Sequence, residues 1–177
     1  LEFSNAGTGY TTSPTVTIST LAGPGSGATA TVNGEDKKSG GNGNVRYITR
    51  RVTLNDGFDS SDFRVYMTAY KPQGANIYVY YKVLSKSDSD SFDDKNYQLM
   101  TQLGDANFTS MSGTDYRELT FAPGTSGVAN NAINYTSGST AFNSFKTFAI
   151  KIVLTGTDTV AVPKIRDFRA IALPSGL

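Results

Sequence analysis

The sequence of 177 residues contains no cysteine, no histidine and no tryptophan. Without cysteine there is no disulfide framework and no thiolate nucleophile, and without histidine the serine–histidine–aspartate triad is excluded. No apolar run approaches the ~20 residues that a membrane-spanning helix needs. Sixteen basic and fifteen acidic residues leave a net charge of +1, so no overall field favours nucleic acid or membrane partners. These absences argue against an enzyme and give no reason to expect a cofactor.

Tyrosine, phenylalanine and glycine are abundant, with ten, ten and eighteen residues. Together with many serine, threonine and asparagine residues, this composition is typical of short strands joined by turns. Apolar and polar residues alternate in segments between positions 45 and 173, and nothing there indicates a helix. The sequence therefore predicts an all-β protein, an antiparallel β-sandwich that is jelly-roll-like, with a small N-terminal hairpin arm.

Three parts are expected along the chain. Residues 1–33 carry two short β patterns around a glycine-rich turn and predict the hairpin arm, and polar residues 34–44 predict a linker. Residues 45–177 predict the sandwich, with a long contact or partly disordered loop at 122–144. The predicted strands are 45–54, 63–70, 77–84, 97–103, 116–121, 145–154 and 165–173. Because the sequence opens without methionine, we also expect it to be a piece of a longer protein.

Four carboxylates lie within seven residues between the third and fourth predicted strands: Asp88, Asp90, Asp93 and Asp94. Oxygen ligands at this density suit Ca²⁺, a hard cation. The segment nevertheless lacks the glycine and the terminal glutamate of the helix-flanked calcium loop. We therefore favour a solvated acidic hairpin loop with no metal, and keep calcium as a weak alternative.

Tyrosines are concentrated in the predicted strands. One face of the third strand carries Ile77, Val79, Tyr81 and Val83, which alternation assigns to the core. Tyr78 and Tyr80 share the opposite face with Lys82 and are the candidates for a surface that contacts a partner. A protein interface suits tyrosine, because its ring is apolar and its hydroxyl polar, and stacking on a sugar ring is the alternative.

Basic residues cluster in the first and last predicted strands: Arg46, Arg50, Arg51, Lys164, Arg166 and Arg169. If these terminal strands are neighbours, a basic stripe would result. Salt bridges with aspartates, or protection of sheet edges against unwanted pairing, explain the same residues and are preferred.

Two parts of the sequence resemble proteins of tailed phages. Residues 7–18 (GTGYTTSPTVTI) and 25–30 (GSGATA) resemble a repeat of phage virion proteins and bacterial surface proteins. Residues 46–54 (RYITRRVTL), 77–82 (IYVYYK), 148–152 (FAIKI) and 162–173 (VPKIRDFRAIAL) resemble the C-terminal region of structural proteins in contractile-tailed phages, especially those infecting cyanobacteria. The resemblance implies a tail, baseplate or fibre component and brings no catalytic residues.

The expected function is therefore a non-enzymatic structural module of a phage particle that works through protein–protein contacts. Its expected partners are other virion structural proteins and copies of itself, since such proteins usually form symmetric oligomers, with a trimer for a fibre. The alternative is a carbohydrate-binding module that recognises a glycan on the host surface. No nucleic-acid partner and no membrane span are expected.

Overall fold

The computed structural model describes residues 45–124, 133–158 and 160–174, so the predicted arm 1–33 and linker 34–44 lie outside the described residues. The described part is almost entirely β-structure and has no α-helix, which confirms the predicted fold class. The strands are β1 (Val45–Ile48), β2 (Val52–Thr53), β3 (Ser60–Tyr70), β4 (Asn76–Leu84), β5 (Gln98–Leu99), β6 (Thr101–Leu103), β7 (Arg117–Ala122), β8 (Tyr135–Ser137), β9 (Thr140–Phe142), β10 (Thr147–Thr155) and β11 (Lys164–Pro174). A short 3-10 helix, Phe92–Asp94, follows β4.

Two antiparallel sheets form the sandwich. Sheet A has the strand order β1-β10-β4-β5, and β2 pairs with β10 beyond the end of β1. Sheet B has the order β11-β3-β7-β6, and β8 pairs with β9 in a separate hairpin. The chain passes repeatedly from one sheet to the other, which is the jelly-roll-like character that the sequence predicted.

The core lies between the inner faces of the two sheets. Alternate residues of the long strands are buried there: Ile77, Val79, Tyr81 and Val83 from β4, Phe148, Ile150 and Ile152 from β10, Phe63, Val65, Met67 and Ala69 from β3, and Leu119 and Phe121 from β7. The ring of Phe63 packs edge-on against those of Tyr81 and Phe145. Burial of each large apolar side chain contributes roughly 1.5–3 kcal/mol. The alternation in β4 therefore predicted its core face correctly.

Three predicted segments differ from the observed ones. The segment 45–54 breaks into β1 and β2, and the segment 97–103 breaks into β5 and β6 at Met100. The region 122–144 was predicted as a loop, yet it contains the whole hairpin of β8 and β9, in which the rings of Tyr135 and Phe142 stack 5.2 Å apart. Ile133 is also part of the core, and its N–H donates to the Ser61 carbonyl at 2.6 Å. Residues 125–132 lie outside the described ranges.

Residues 98–103 close one side of the sandwich, which we call the closed edge. β5 pairs with β4 in sheet A, and β6 pairs with β7 in sheet B only one residue later. Met100, which lies between them, is 4% exposed, and its N–H donates to the Val79 carbonyl at 2.7 Å. A single extended segment therefore joins the two sheets along this edge.

The opposite side, which we call the open edge, is formed by β1 of sheet A and β11 of sheet B. Each of these strands is the last of its sheet in the strand order found for the described residues. β1 pairs with β10 from Val45 to Ile48, and β11 pairs with β3 along most of its length. This arrangement places a gap between the two sheets where β1 and β11 face each other.

Candidate functional site

A groove of about 450 Å³ lies at the open edge between β1 and β11. Its lining is mainly apolar: Val45, Tyr47, Ile152, Leu154, Pro163, Lys164, Ile165 and Phe168. The volume falls within the ~300–1,000 Å³ range of ligand pockets. The groove is partly open to solvent.

A β-bulge in β11 aims an aromatic ring at this groove. Arg166 is opposite Thr68 and Arg169 is opposite Tyr66, so β11 has one extra residue at this point. Asp167 lies at this bulge and has φ of 55°. Residues other than glycine, asparagine and aspartate rarely adopt this left-handed backbone conformation. As a result Phe168 joins the groove lining, where its ring lies 6.4 Å from that of Tyr47 in an edge-on arrangement.

Large apolar side chains are exposed along β1 and β2. Val45, Tyr47, Ile48 and Val52 each have more than two fifths of their area exposed, with Tyr47 at 55%. Scattered apolar residues are ordinary on protein surfaces, but Val45 and Tyr47 are both exposed and line the same groove. The open edge is therefore the part of the described surface that best fits a binding role.

Six basic side chains of the terminal strands and the three residues after β1 are exposed, and β1 and β11 belong to different sheets, so they do not pair to form one stripe: Arg46, Arg50, Arg51, Lys164, Arg166 and Arg169. Two of them make contacts on the outer face of sheet B. Arg169 pairs with Glu118, and the guanidinium of Arg166 lies 3.4 Å from the ring centroid of Tyr116 on the outer face of sheet B. Lysine and arginine on edge strands also discourage indiscriminate pairing with other chains.

The acidic segment is held in a hydrogen-bonded cluster. The Lys95 ammonium lies 2.7 Å from the carboxylate of Asp88 and 2.6 Å from that of Asp90. The Tyr135 hydroxyl donates to Asp88 at 2.8 Å and accepts the Ser85 N–H at 2.7 Å. The expectation of a solvated loop is therefore wrong for Asp88, whose side chain is 2% exposed.

Asp93 and Asp94 lie in the 3-10 helix and are exposed, and Ser91 caps this helix by accepting the Asp93 N–H. Within the described ranges, no three carboxylates are grouped so that they could hold a metal ion. The cation that Asp88 and Asp90 contact is Lys95. The calcium alternative gains no support from this geometry, and a structural role explains the cluster.

Hydrogen bonds and burial within this cluster shift three pKa values. Burial acts to raise the pKa of Asp88, but hydrogen bonds from Lys95, the Asp90 N–H and Tyr135 outweigh it, and the pKa is lowered. The pKa of Asp90 is lowered mainly by its hydrogen bonds from Lys95 and Ser137. Burial is the main cause that raises the pKa of Tyr135 to about 12. Tyr135 thus keeps the proton with which it donates to Asp88.

The two tyrosines that the sequence singled out are not equally accessible. Tyr78 is 37% exposed on the outer face of sheet A, whereas Tyr80, on the same face, is 6% exposed. The Lys151 ammonium lies over both Tyr80 and Tyr97, at 4.8 Å and 4.2 Å from the ring centroids. Such cation–aromatic contacts contribute roughly 0.5–2 kcal/mol each. Only Tyr78 offers substantial area to a partner, and a binding role for either residue stays a prediction.

Several residues that matter at these sites were missed from the sequence. Phe168 looked like one more apolar strand residue, and the single usable signal was the aspartate before it, since aspartate tolerates positive φ. No sequence pattern indicated that Lys95 and Tyr135 contact Asp88. Tyr135 is 47 residues from Asp88 along the chain. Met100 was part of an unbroken strand pattern, which does not reveal a change of sheet.

No family model matches this sequence, and neither a curated protein nor a solved structure is significantly similar to it. Across the described ranges, no helix has the length and apolar character to cross a membrane. The class that the fold defines is an antiparallel β-sandwich. Function must therefore be argued from the surfaces of this chain.

Proposed function

We propose that this chain is a non-enzymatic structural module of a tailed-phage particle, in its tail, baseplate or fibre, and that it acts through protein–protein contacts. The observation that carries the contact role is the open edge, where exposed apolar side chains flank a groove between two edge strands. The resemblance of residues 46–54, 77–82 and 162–173 to contractile-tail structural proteins supports the location in a particle. Copies of this chain are further partners in the proposal, as in other symmetric assemblies.

The non-enzymatic part of the proposal is supported by the contacts of two acidic side chains. Asp88 is bound to Lys95 and Tyr135, and Glu118 is paired with Arg169. The chain has no histidine or cysteine to serve as a base or nucleophile near neutral pH. A groove lined mainly by aliphatic and aromatic side chains gives surface for packing and few groups for chemistry.

The glycan-binding alternative is less well supported. It needs aromatic rings that present an open face to a sugar, and of Tyr78 and Tyr80 only Tyr78 is exposed. On sheet B, the ring of Tyr116 is covered by Arg166, and that of Tyr70 lies 5.8 Å from the Lys164 ammonium. A glycan array probed with the full chain tests this alternative directly.

The proposed function is tested by co-assembly. The full chain is mixed with the proteins encoded beside it and followed by size-exclusion chromatography with light scattering. We expect a defined complex or oligomer with wild-type protein, and its loss with Tyr47→Glu at the open edge. Leu99→Glu is the matched control, because Leu99 is 54% exposed on the opposite edge strand of the same sheet.

A monomer that joins no neighbouring protein would contradict the proposal, as would detection of glycan cleavage by the purified chain. Mass spectrometry of gradient-purified particles gives an independent check of location. Peptides of this chain should copurify with the tail proteins, and their absence from intact particles would overturn the particle assignment.

A further inference from the structure

The outer face of sheet B carries basic and tyrosine side chains in adjacent positions. Lys164 of β11 is opposite Tyr70 of β3, and Arg169 is opposite Tyr66. Directly opposed residues of antiparallel strands point to the same side of a sheet, and the residues that alternate with these tyrosines in β3 are buried in the core. The basic side chains therefore lie on the face that points away from the core, and they are exposed.

Arg166 and Arg169 of β11 differ in what compensates their charge. Arg169 forms an ion pair with Glu118. The guanidinium of Arg166 lies 3.4 Å from the ring centroid of Tyr116, and in the described part of the chain no carboxylate, that of adjacent Asp167 included, pairs with it. A ring contact does not neutralise the charge, so Arg166 remains able to bind an anion.

Two cations and two rings form one compact cluster at this place. The rings of Tyr70 and Tyr116 lie 5.9 Å apart, and the Lys164 ammonium lies 5.8 Å from the centroid of the Tyr70 ring. Within the described ranges, Lys164 also has no carboxylate as an ion-pair partner. We call this cluster of Tyr70, Tyr116, Lys164 and Arg166 the sheet B surface.

The contact with Tyr116 orients the guanidinium of Arg166. At 3.4 Å from the ring centroid the guanidinium must lie flat on the ring, because an edge-on guanidinium would bring its nitrogens inside van der Waals contact. In the flat arrangement its N–H groups point outward in the plane of the fork, where they match the two oxygens of a carboxylate. The ring therefore holds this fork ready for binding, which lowers the entropy that a partner must overcome.

We propose that the sheet B surface binds a carboxylate side chain of a partner protein, which pairs with the Arg166 guanidinium beside the Lys164 ammonium. The inference rests on the proposed function, since it takes the occupant to be another protein, and it adds a second contact surface to the groove. Bidentate pairs of arginine with carboxylate are among the strongest hydrogen-bonded contacts in proteins. Tyrosine and arginine are also enriched among the residues that dominate the binding energy of protein interfaces.

Negative charges on the same face argue against a polyanion as the occupant. Arg166 and Glu118 are both opposite Thr68, on its two sides, so a carboxylate lies in the same row as the guanidinium. Along β11, Asp167 interrupts the basic residues. A polymer with a negative charge at every unit would meet these carboxylates in either direction. A protein can place one carboxylate at Arg166 and a different group beside Glu118, and such complementary charges fix the register of an interface.

A second copy of this chain fits the sheet B surface less well. In a two-fold dimer the same surface patch of both copies meets itself. Lys164 and Arg166 of one copy would then lie near the same two cations of the other, and like charges repel. The charges therefore favour a different chain as the partner.

The test titrates the full chain, labelled with nitrogen-15, with an acetylated hexapeptide of alternating glutamate and serine. We expect the Nε–H signal of Arg166 in the nuclear magnetic resonance spectrum to shift and to saturate. A peptide with glutamine in place of glutamate is the matched control and should bind about tenfold more weakly, since hydrogen bonds to a charged group are the stronger ones. Added salt should weaken binding of the glutamate peptide.

Variants assign the binding to the stacked guanidinium, with affinities measured by fluorescence anisotropy of the labelled glutamate peptide. Arg166→Gln should weaken binding about tenfold, and Arg166→Lys should weaken it nearly as much, because lysine keeps the charge but not the fork. Tyr116→Leu should weaken it severalfold, because the guanidinium loses the ring that orients it. Lys86→Gln removes an exposed cation elsewhere and should change the affinity less than about twofold. Urea unfolding verifies that each variant is folded.

Equal affinities for the glutamate and glutamine peptides, or an Arg166 signal that does not shift, would overturn the inference. Wild-type affinity in Arg166→Lys would overturn the role of the stacked guanidinium. A heparin fragment that shifts the Arg166 signal and binds more tightly than the glutamate peptide would assign the surface to an anionic polymer instead. A dimer that Arg166→Gln disrupts would assign it to a second copy.

The co-assembly experiment separates this inference from the proposed function. If co-assembly with neighbouring proteins depends on Tyr47 but not on Arg166, and the glutamate peptide does not bind, the inference fails and the proposed function stands. If the peptide binds at Arg166 but no neighbouring protein joins the chain, the carboxylate site stands and the proposed function fails. If both are absent, both fail.

Discussion

The two edges of the sandwich differ in whether the two sheets are joined there. At the closed edge, residues 98–103 pair first with β4 and then with β7, and Met100 is buried between the sheets. At the open edge, β1 and β11 belong to different sheets, and a groove lies between them. The comparison shows that, among the described residues, one edge of the sandwich is joined by a buried residue and the other carries a groove. Substitution of the buried residue at the closed edge should lower stability, whereas substitution of exposed groove residues at the open edge should change contacts.

The largest effect is expected at the closed edge, from Met100→Ala. Met100 is 4% exposed, and its removal leaves a cavity where the chain passes between sheets. Such substitutions lower the free energy of unfolding by about 2–5 kcal/mol. Urea denaturation followed by circular dichroism measures the change. Leu99→Ala, one residue away and 54% exposed, is the control and should cost less than about 1 kcal/mol. Equal losses for both variants would contradict the explanation that burial of Met100 stabilises the closed edge.

Tyr135→Phe should have the next largest effect, because it breaks the cluster that anchors the segment leading into β5. The variant keeps the ring and its stacking on Phe142, but removes the hydroxyl shared by Asp88 and the Ser85 N–H. A buried group left without its partner costs about 1–3 kcal/mol. The same urea measurement tests this loss. Tyr78→Phe is the control, since Tyr78 is partly exposed, and a comparable loss there would contradict the explanation.

At the open edge, Asp167→Val should destabilise the protein by about 1–2 kcal/mol, because a β-branched residue is strained at φ of 55°. Asp167→Gly is the control and should be neutral or slightly stabilising, since glycine adopts this conformation freely. Urea denaturation measures both variants. If the valine variant unfolds at the same urea concentration as wild type, the positive φ at Asp167 does not strain a β-branched residue.

The sequence predicted the faces of β4 correctly because a strand's side chains alternate with a period of two. It did not predict that Tyr80 is buried, because the Lys151 ammonium that lies over its ring comes from β10. Local pattern thus assigns a side chain to a face. Whether that face is buried depends on which strands become neighbours. The sequence of a single strand does not predict its neighbours.

The candidate site was only partly predictable for the same reason. The basic residues of the first and last strands were recognised, and the possibility that these strands are neighbours was raised. The groove itself depends on a bulge in β11. The bulge is defined by how β11 pairs with β3, and the sequence of β11 alone does not show this pairing. The acidic segment was recognised too, but Asp88 is buried by a tyrosine from a distant hairpin. Registers and long-range partners are properties of the folded chain.

The smallest effect is expected in the pH dependence of stability, which distinguishes the acidic cluster before β5 from the open edge. The pKa of Asp88 is lowered in the folded protein, so its contribution is fully present above the unfolded value of about 3.9 and is lost as the pH falls through the folded value. The difference in unfolding free energy between wild type and Asp88→Asn should therefore narrow as the pH falls below about 4. The difference between wild type and Tyr47→Ala should stay constant, because no acidic group is removed at the open edge. Urea midpoints measured from pH 7 to pH 3 test both, and a constant Asp88→Asn difference would mean that the pair of Asp88 and Lys95 does not stabilise the loop before β5.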